Sequence, residues 1–192
     1  MPRPLAVAAL LALVPALAFG GERTYVVKTT EDARFPPDMA VCEAAGFPLV
    51  NVVLGASVWS LQTNVRRGEV MRDEVRFLGT ATGCGMLTST VPFTPRQSFF
   101  IQFALRDGTY VAKGECDIVS VTVPVPGVLL AGCALRIVQA PEGVVGGFAT
   151  SASVFNPQGV PGFGTGSVWT IHVYTDGSED RRDDREDRRD DD

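Results

Sequence analysis

The chain has 192 residues, 45% of them hydrophobic, and a formal net charge of -5. Asp176 to Asp192 holds 10 acidic residues and 5 arginines, the whole imbalance, while Gly21 to Thr175 holds 11 basic and 12 acidic residues. A near-neutral body has no electrostatic footprint for phosphate backbones, which argues against nucleic acid as a partner.

Residues 1–20 open with Arg3, run apolar from Leu5 to Phe19, and end on the small residues Ala18 and Gly20. This is the pattern of a secretory signal peptide, too short for a comfortable membrane span, with a mature N-terminus expected at or near Gly21. No other stretch approaches 18 apolar residues, so no membrane span is expected after its removal. Residues 21–175, enough for one domain with a real core, read almost entirely as strands. The expected segments are Thr24 to Thr29, Leu49 to Thr63, Glu69 to Leu78, a short piece around Gly85 to Val91, Ser98 to Arg106, Thr109 to Val123, Val128 to Val138, and a last pair, Gly147 to Phe155 and Ser167 to Thr175. One helix of about two turns is expected between Pro36 and Gly46, opened by prolines and Asp38 and closed by the glycine. Residues 176–192 mix Asp, Glu and Arg without an apolar residue and are expected to be disordered.

The central block carries the register argument. Phe99, Ile101, Phe103 and Leu105 share one face, and Asp107-Gly108 is a strong signal for a two-residue hairpin. Centred there, the hairpin pairs Phe99 with Cys116, Ile101 with Gly114, Phe103 with Ala112, and Leu105 with Tyr110. A second turn centred on Pro124-Val125 places Cys116 opposite Cys133, with Leu135 and Ile137 on the same inner face and Arg136 pointing away. The small residues Ala112, Gly114 and Ala131 either leave a lumen or let large neighbours pack against them. Arg72, Glu74 and Arg76 alternate with Met71, Val75 and Phe77 and read as a solvated face. In the last strand Trp169, Ile171 and Val173 share one side, and Thr170, His172 and Tyr174 the other. The loop from Asn156 to Gly166 reads as a rim loop or a wide surface connection.

Four cysteines follow the leader, with no close pair and only His172 as a histidine, so disulfides are expected over a metal site. The register argument bonds Cys116 to Cys133, which leaves Cys42 to Cys84. Hydrolase, zinc-protease, phosphate-loop and kinase motifs are missing. Gly143-Val144-Val145-Gly146-Gly147 precedes no helix pattern, so it is no dinucleotide site. Neither cofactor nor metal is expected, and His172 is the one weak catalytic candidate.

From Phe77 to Tyr174 the chain resembles the dirigent and allene oxide cyclase-like barrel superfamily. The likeness rests on Gly79-Thr80-Ala81-Thr82-Gly83-Cys84, the hairpin from Leu105 to Gly114, Ile137-Val138 before Gly146-Gly147-Phe148-Ala149, and the closing strand Trp169 to Tyr174. The resemblance implies an exported or organellar eight-stranded barrel with an apolar lumen, in families that steer cyclisation or coupling of apolar molecules. It carries over no catalytic residue.

The expected fold is all-β: an antiparallel closed barrel of about eight strands with one short helix near the N-terminus. Outward charges such as Lys113, Glu115, Asp117, Arg72, Arg76 and Arg136 argue against a barrel embedded in lipid. The expected function is binding of an apolar small molecule in a lumen lined by Phe99, Ile101, Phe103, Leu105, Tyr110, Ala112, Gly114, Leu135 and Ile137. A cyclase or isomerase on the same barrel and a structural protein with a filled core are the alternatives. The expected compartment is secreted or periplasmic.

Overall fold

Eight strands, each antiparallel to its sequence neighbours, close into a barrel when the last returns to the first. They are β1 (Glu22–Glu31), β2 (Val52–Arg66), β3 (Glu69–Gly85), β4 (Gln97–Leu105), β5 (Gly108–Ser120), β6 (Leu129–Gln139), β7 (Val144–Phe155) and β8 (Gly166–Thr175), with the helix α1 (Met39–Ala44) between β1 and β2. The computed structural model describes residues 20–46, 51–66, 69–93 and 96–176. The expected signal peptide before Gly20 and the Asp/Arg-rich tail beyond Asp176 lie outside these residues. Among the described residues, no helix is long and apolar enough to cross a membrane.

Period-two alternation sets the inner wall. Phe99, Ile101 and Phe103 on β4, Tyr110 and Ala112 on β5, Leu135 and Ile137 on β6, and Trp169, Ile171 and Val173 on β8 are all buried in one core. The β4–β5 hairpin keeps that face but not the expected register. Phe99 pairs with Gly114, Ile101 with Ala112, Phe103 with Tyr110, and Leu105 with Gly108. The outer pairs shift equally: Phe100 meets Lys113, Ser98 meets Glu115, and Gln102 meets Val111. The turn is therefore Arg106-Asp107, one residue earlier than Asp107-Gly108, which slips the pairing by two residues. Gly108 supplies positive φ (138°) as the first residue of the return strand, and a β-carbon there would lie 2.3 Å from the Pro141 ring. Because the slip is two residues, every side chain stays on its expected face.

The β5–β6 register is as expected, with Cys116 opposite Cys133 and Leu135 opposite Gly114. Cys116–Cys133 and Cys42–Cys84 are both bonded. Such bonds form and persist in oxidising compartments. With sequence separations of 17 and 42, loop-closure entropy alone gives roughly 3 and 4 kcal/mol respectively. The first bond lies inside the barrel. The second fastens α1 to the outer wall, where Cys42 and Cys84 are buried with Phe100 and Val111. This explains why β4 buries residues on both faces. Asp38 caps the helix by accepting a hydrogen bond from the Ala40 amide at 3.0 Å. The segment leading into it crosses Gly55, where a β-carbon would lie 2.2 Å from the Phe35 carbonyl oxygen.

β3 departs from expectation in two ways. It runs unbroken to Gly85, and residues 86–93 form a loop, so the separate strand expected at Gly85 to Val91 does not exist. Two polar side chains hold that loop: Asn51 bonds both the amide and the carbonyl of Leu87, and buried Gln97 accepts from Thr88. The second departure is a pair of register shifts against β2 that leave Leu78 and Val75 as extra residues. A bulge of this kind moves the following side chains to the opposite face. Glu74 and Arg76 therefore do not share one face. Glu74 pairs with outward Lys28, whereas Arg76 lies opposite Ser60, which lies opposite inward Val27. The Arg76 amide donates to the Ser60 hydroxyl at 3.1 Å. The side chain of Arg72 lies outside the description.

Gly114 does not leave lumen space. A β-carbon there would lie 2.4 Å from the Ala134 carbonyl oxygen and 2.9 Å from the Leu135 Cα. The glycine lets β5 and β6 approach, so Gly114→Phe cannot leave the fold intact. Even Gly114→Ala is predicted to destabilise the protein by roughly 2 kcal/mol or more, the range for forced backbone shifts in a packed core. Urea unfolding measures it, and an unchanged midpoint contradicts the close approach.

Candidate functional site

β4 and β8 stand on opposite walls of the ring. Even so, the Trp169 indole meets the Phe103 ring edge-on at 5.5 Å and stacks with Phe99 at 6.5 Å. Trp169 is fixed from the other side by its Nε1–H, which donates to the Thr29 hydroxyl at 3.2 Å. On the facing wall, Gly83 and Gly85 make room for Phe99, since β-carbons there would come within 2.9 and 3.0 Å of its ring. A space of about 30 Å³ beside Phe99, Ile101 and Trp169 opens toward the barrel end at Glu31, Phe155 and Gly166. That is roughly the volume of one water molecule. The nine residues expected to line a lumen do face inward, but most of them fill it.

A larger space lies at one end. β1 pairs with β2 only from Val27 to Glu31, and its first residues pair with β8 alone. β3 pairs with β4 only from Gly79 onward. Beyond Ser60 and Arg76, the β2–β3 hairpin thus parts from both neighbours. The gap is a cleft of about 350 Å³, open to solvent. Its floor is apolar: Val27, Leu78 and Leu105. Its polar rim includes Tyr25, Ser60, Arg76, Arg106 and Asp107. Of the nine expected lumen residues, only Leu105 borders this cleft.

The rim is organised around Asp107. The Tyr25 hydroxyl donates to Asp107 Oδ2 at 2.6 Å and lies 3.1 Å from the Tyr110 hydroxyl, which is 3.3 Å from the same carboxylate oxygen. Each phenol has one proton to give. The shorter contacts form a chain from Tyr110 to Tyr25 to Asp107. Burial raises the Tyr25 pKa above 10.0, and the Asp107 hydrogen bond adds to this, against smaller opposing effects of Tyr110 and Arg23. Burial, then the Tyr25 hydrogen bond, raises Tyr110 still further.

His172 stands elsewhere, on the outer face of β8. Its ring stacks on Phe148 at 4.7 Å, and its Nδ1 lies 3.1 Å from Glu22 Oε1 and 3.0 Å from the Thr24 hydroxyl. It borders neither cavity. The Asn156 to Gly166 loop is braced by one side chain: Asn156 accepts from the Val160 amide and donates to the carbonyls of Val160 and Phe163. Among the described residues, no three His, Cys, Asp or Glu side chains are grouped to hold a metal ion. Of the cleft residues the sequence reading names only Leu105 as lining a site, and it does not single out Tyr25, Arg76, Arg106 and Asp107 for that role. The alternation of Tyr25 with Val27 and Thr29 was a usable signal for Tyr25; the β3 bulges hid Arg76.

The tyrosine pair gives a pH prediction. The unfolded chain releases phenol protons near the ordinary value of 10.0, whereas both folded phenols hold theirs to higher pH. Above about pH 10 the unfolded state binds fewer protons, so stability is full below that pH and falls as pH rises. The phenolate absorbance of wild type is expected to show two tyrosines ionising only above pH 10. Tyr25→Phe is expected to remove part of the alkaline loss of stability. Both phenols ionising at 10 in the folded protein would contradict the geometry.

No family model matches the sequence, and neither a curated protein nor a solved structure shows significant similarity to it.

Proposed function

We propose that this is an exported binding module, clamped by two disulfides, that holds an apolar small molecule at the Tyr25–Asp107 end of its barrel. The observation that carries the reading is the contrast in free space: about 30 Å³ between Trp169 and the Glu31–Gly166 end against about 350 Å³ at the Tyr25–Asp107 end. Known small-molecule sites begin at roughly 300 Å³ and combine apolar walls with a few placed polar groups. Val27, Leu78 and Leu105 supply the walls, and the Asp107 network supplies the polar groups. The apolar leader sequence and the disulfides support export.

Binding is favoured over catalysis. The Asp107 carboxylate is already engaged by Tyr25 and Tyr110, and His172 does not line the cleft but stands on the outer wall with its ring nitrogen 3.0 Å from the Thr24 hydroxyl. A cyclase or isomerase would need an acid-base pair free to meet a substrate. The resemblance to the dirigent and allene oxide cyclase-like families enters this reading only as a proposed likeness in architecture, without an activity attached. A structural protein with no ligand is the second reading, favoured by the aromatic contacts that fill the centre.

The test is uptake of a neutral fluorescent probe, N-phenyl-1-naphthylamine. Wild type is expected to bind it saturably, with competition by small apolar compounds. Leu105→Trp, which fills the cleft floor, is expected to weaken binding at least tenfold while the circular dichroism spectrum is kept. No uptake by wild type decides for the structural reading. Uptake unaffected by Leu105→Trp overturns the location.

A further inference from the structure

We propose that the cleft selects an organic monoanion, with its acid group held by Arg76 and Arg106 and its apolar body against Val27, Leu78 and Leu105. The proposal rests on the binding reading above and adds the chemical class of the ligand.

Charge carries it. Lys28, Arg34 and Arg96 each have a carboxylate partner. Arg76 and Arg106 have none among the described residues, although both line the cleft. The one carboxylate of the described lining, Asp107, does not serve them. It has no cation within salt-bridge distance among the described residues, and its Oδ2 is turned to Tyr25 and Tyr110. Two guanidinium groups against one carboxylate leave the described lining with one excess positive charge, which a monoanion neutralises. Arg23 stands at the same end and is itself already engaged. It pairs with inward Val173 in the β1–β8 ladder and reaches the Tyr25 hydroxyl as a hydrogen-bond partner. Arg136 also lacks an ion pair among the described residues, but it is on the outer wall and borders no cavity.

Arginine suits this role. Its planar fork matches a carboxylate or sulfonate, and it is weakly hydrated for a cation, so it gives up water readily to a ligand. Placing the pair above an apolar floor favours a molecule with an acid at one end and a hydrocarbon body at the other. The two bulges produce the arrangement: the extra residue at Leu78 puts Arg76 on the inner side, and the one at Val75 returns Glu74 to the outside with Lys28.

The experiment compares two ligands of nearly equal shape, 2-naphthoate and 2-naphthalenemethanol, by equilibrium titration of the full folded chain at low salt and at high salt. In wild type at low salt the acid is expected to bind at least tenfold more tightly than the alcohol. That advantage is expected to shrink at high salt, as exposed charges are screened. Arg76→Gln and Arg106→Gln are each expected to weaken acid binding several-fold more than alcohol binding, and so to reduce the advantage; Arg136→Gln is expected to change neither. Equal binding of acid and alcohol by wild type, or an advantage kept in both cleft variants, overturns the monoanion inference and leaves the binding reading standing. Binding of neither compound overturns the binding reading, and the inference falls with it.

Discussion

A ring of eight strands is only wide enough for its own side chains or for one small ligand. Here the contact of Trp169 with Phe99 and Phe103 across the ring decides between those outcomes. Once rings from opposite walls touch, the centre is closed, and free volume remains only toward the ends. The hydrogen bond from Trp169 to Thr29 fixes the indole in this position, and Gly83 and Gly85 give the Phe99 ring its place. Removing a ring of this size from a packed core typically costs about 3–5 kcal/mol, comparable with either disulfide. The aromatic plug is therefore as much a part of the framework as the covalent links.

The cleft follows from how the strands part at one end. β3 carries two extra residues against β2, and the β2–β3 hairpin extends beyond its pairing with β1 and β4. This separation exposes an apolar floor that would otherwise be lumen wall. The bulges also reverse the side on which Arg76 stands. The tight turn at Arg106-Asp107 brings a guanidinium and a carboxylate to the opposite rim, where Tyr25 and Tyr110 hold the carboxylate. Packing at the centre and irregularity at the end thus act together: one denies a ligand the middle of the barrel, and the other provides a place at its mouth.

Much of the fold was legible because alternation is a strong signal. Phe99 to Leu105 and Trp169 to Val173 reveal their inner faces directly, and the two-residue slip in the β4–β5 hairpin left those faces unchanged. Cys116 and Cys133 were legible through strand register, and the other bond followed by elimination. The bulges at Leu78 and Val75 were not legible. Gly79 beside Leu78 is the one local mark, and Val75 lies in a run of apolar and charged residues with none, so Arg76 reads as part of a solvated ladder. The filling of the lumen was equally hidden. Gly114 looked like spare volume, but the space it saves is between two strands; whether large side chains meet across a ring depends on barrel shape, which alternation does not encode. The cleft was missed because its residues come from β1, the β2–β3 hairpin and the β4–β5 turn, which only closure brings together.

The closed centre is most directly tested by nuclear Overhauser effects from the Trp169 indole in solution. The account predicts cross-peaks from the indole to ring protons of both Phe99 and Phe103, and slow hydrogen exchange at the indole nitrogen bonded to Thr29. No cross-peaks to either phenylalanine, together with rapid exchange at that nitrogen, would show an open lumen and contradict the account.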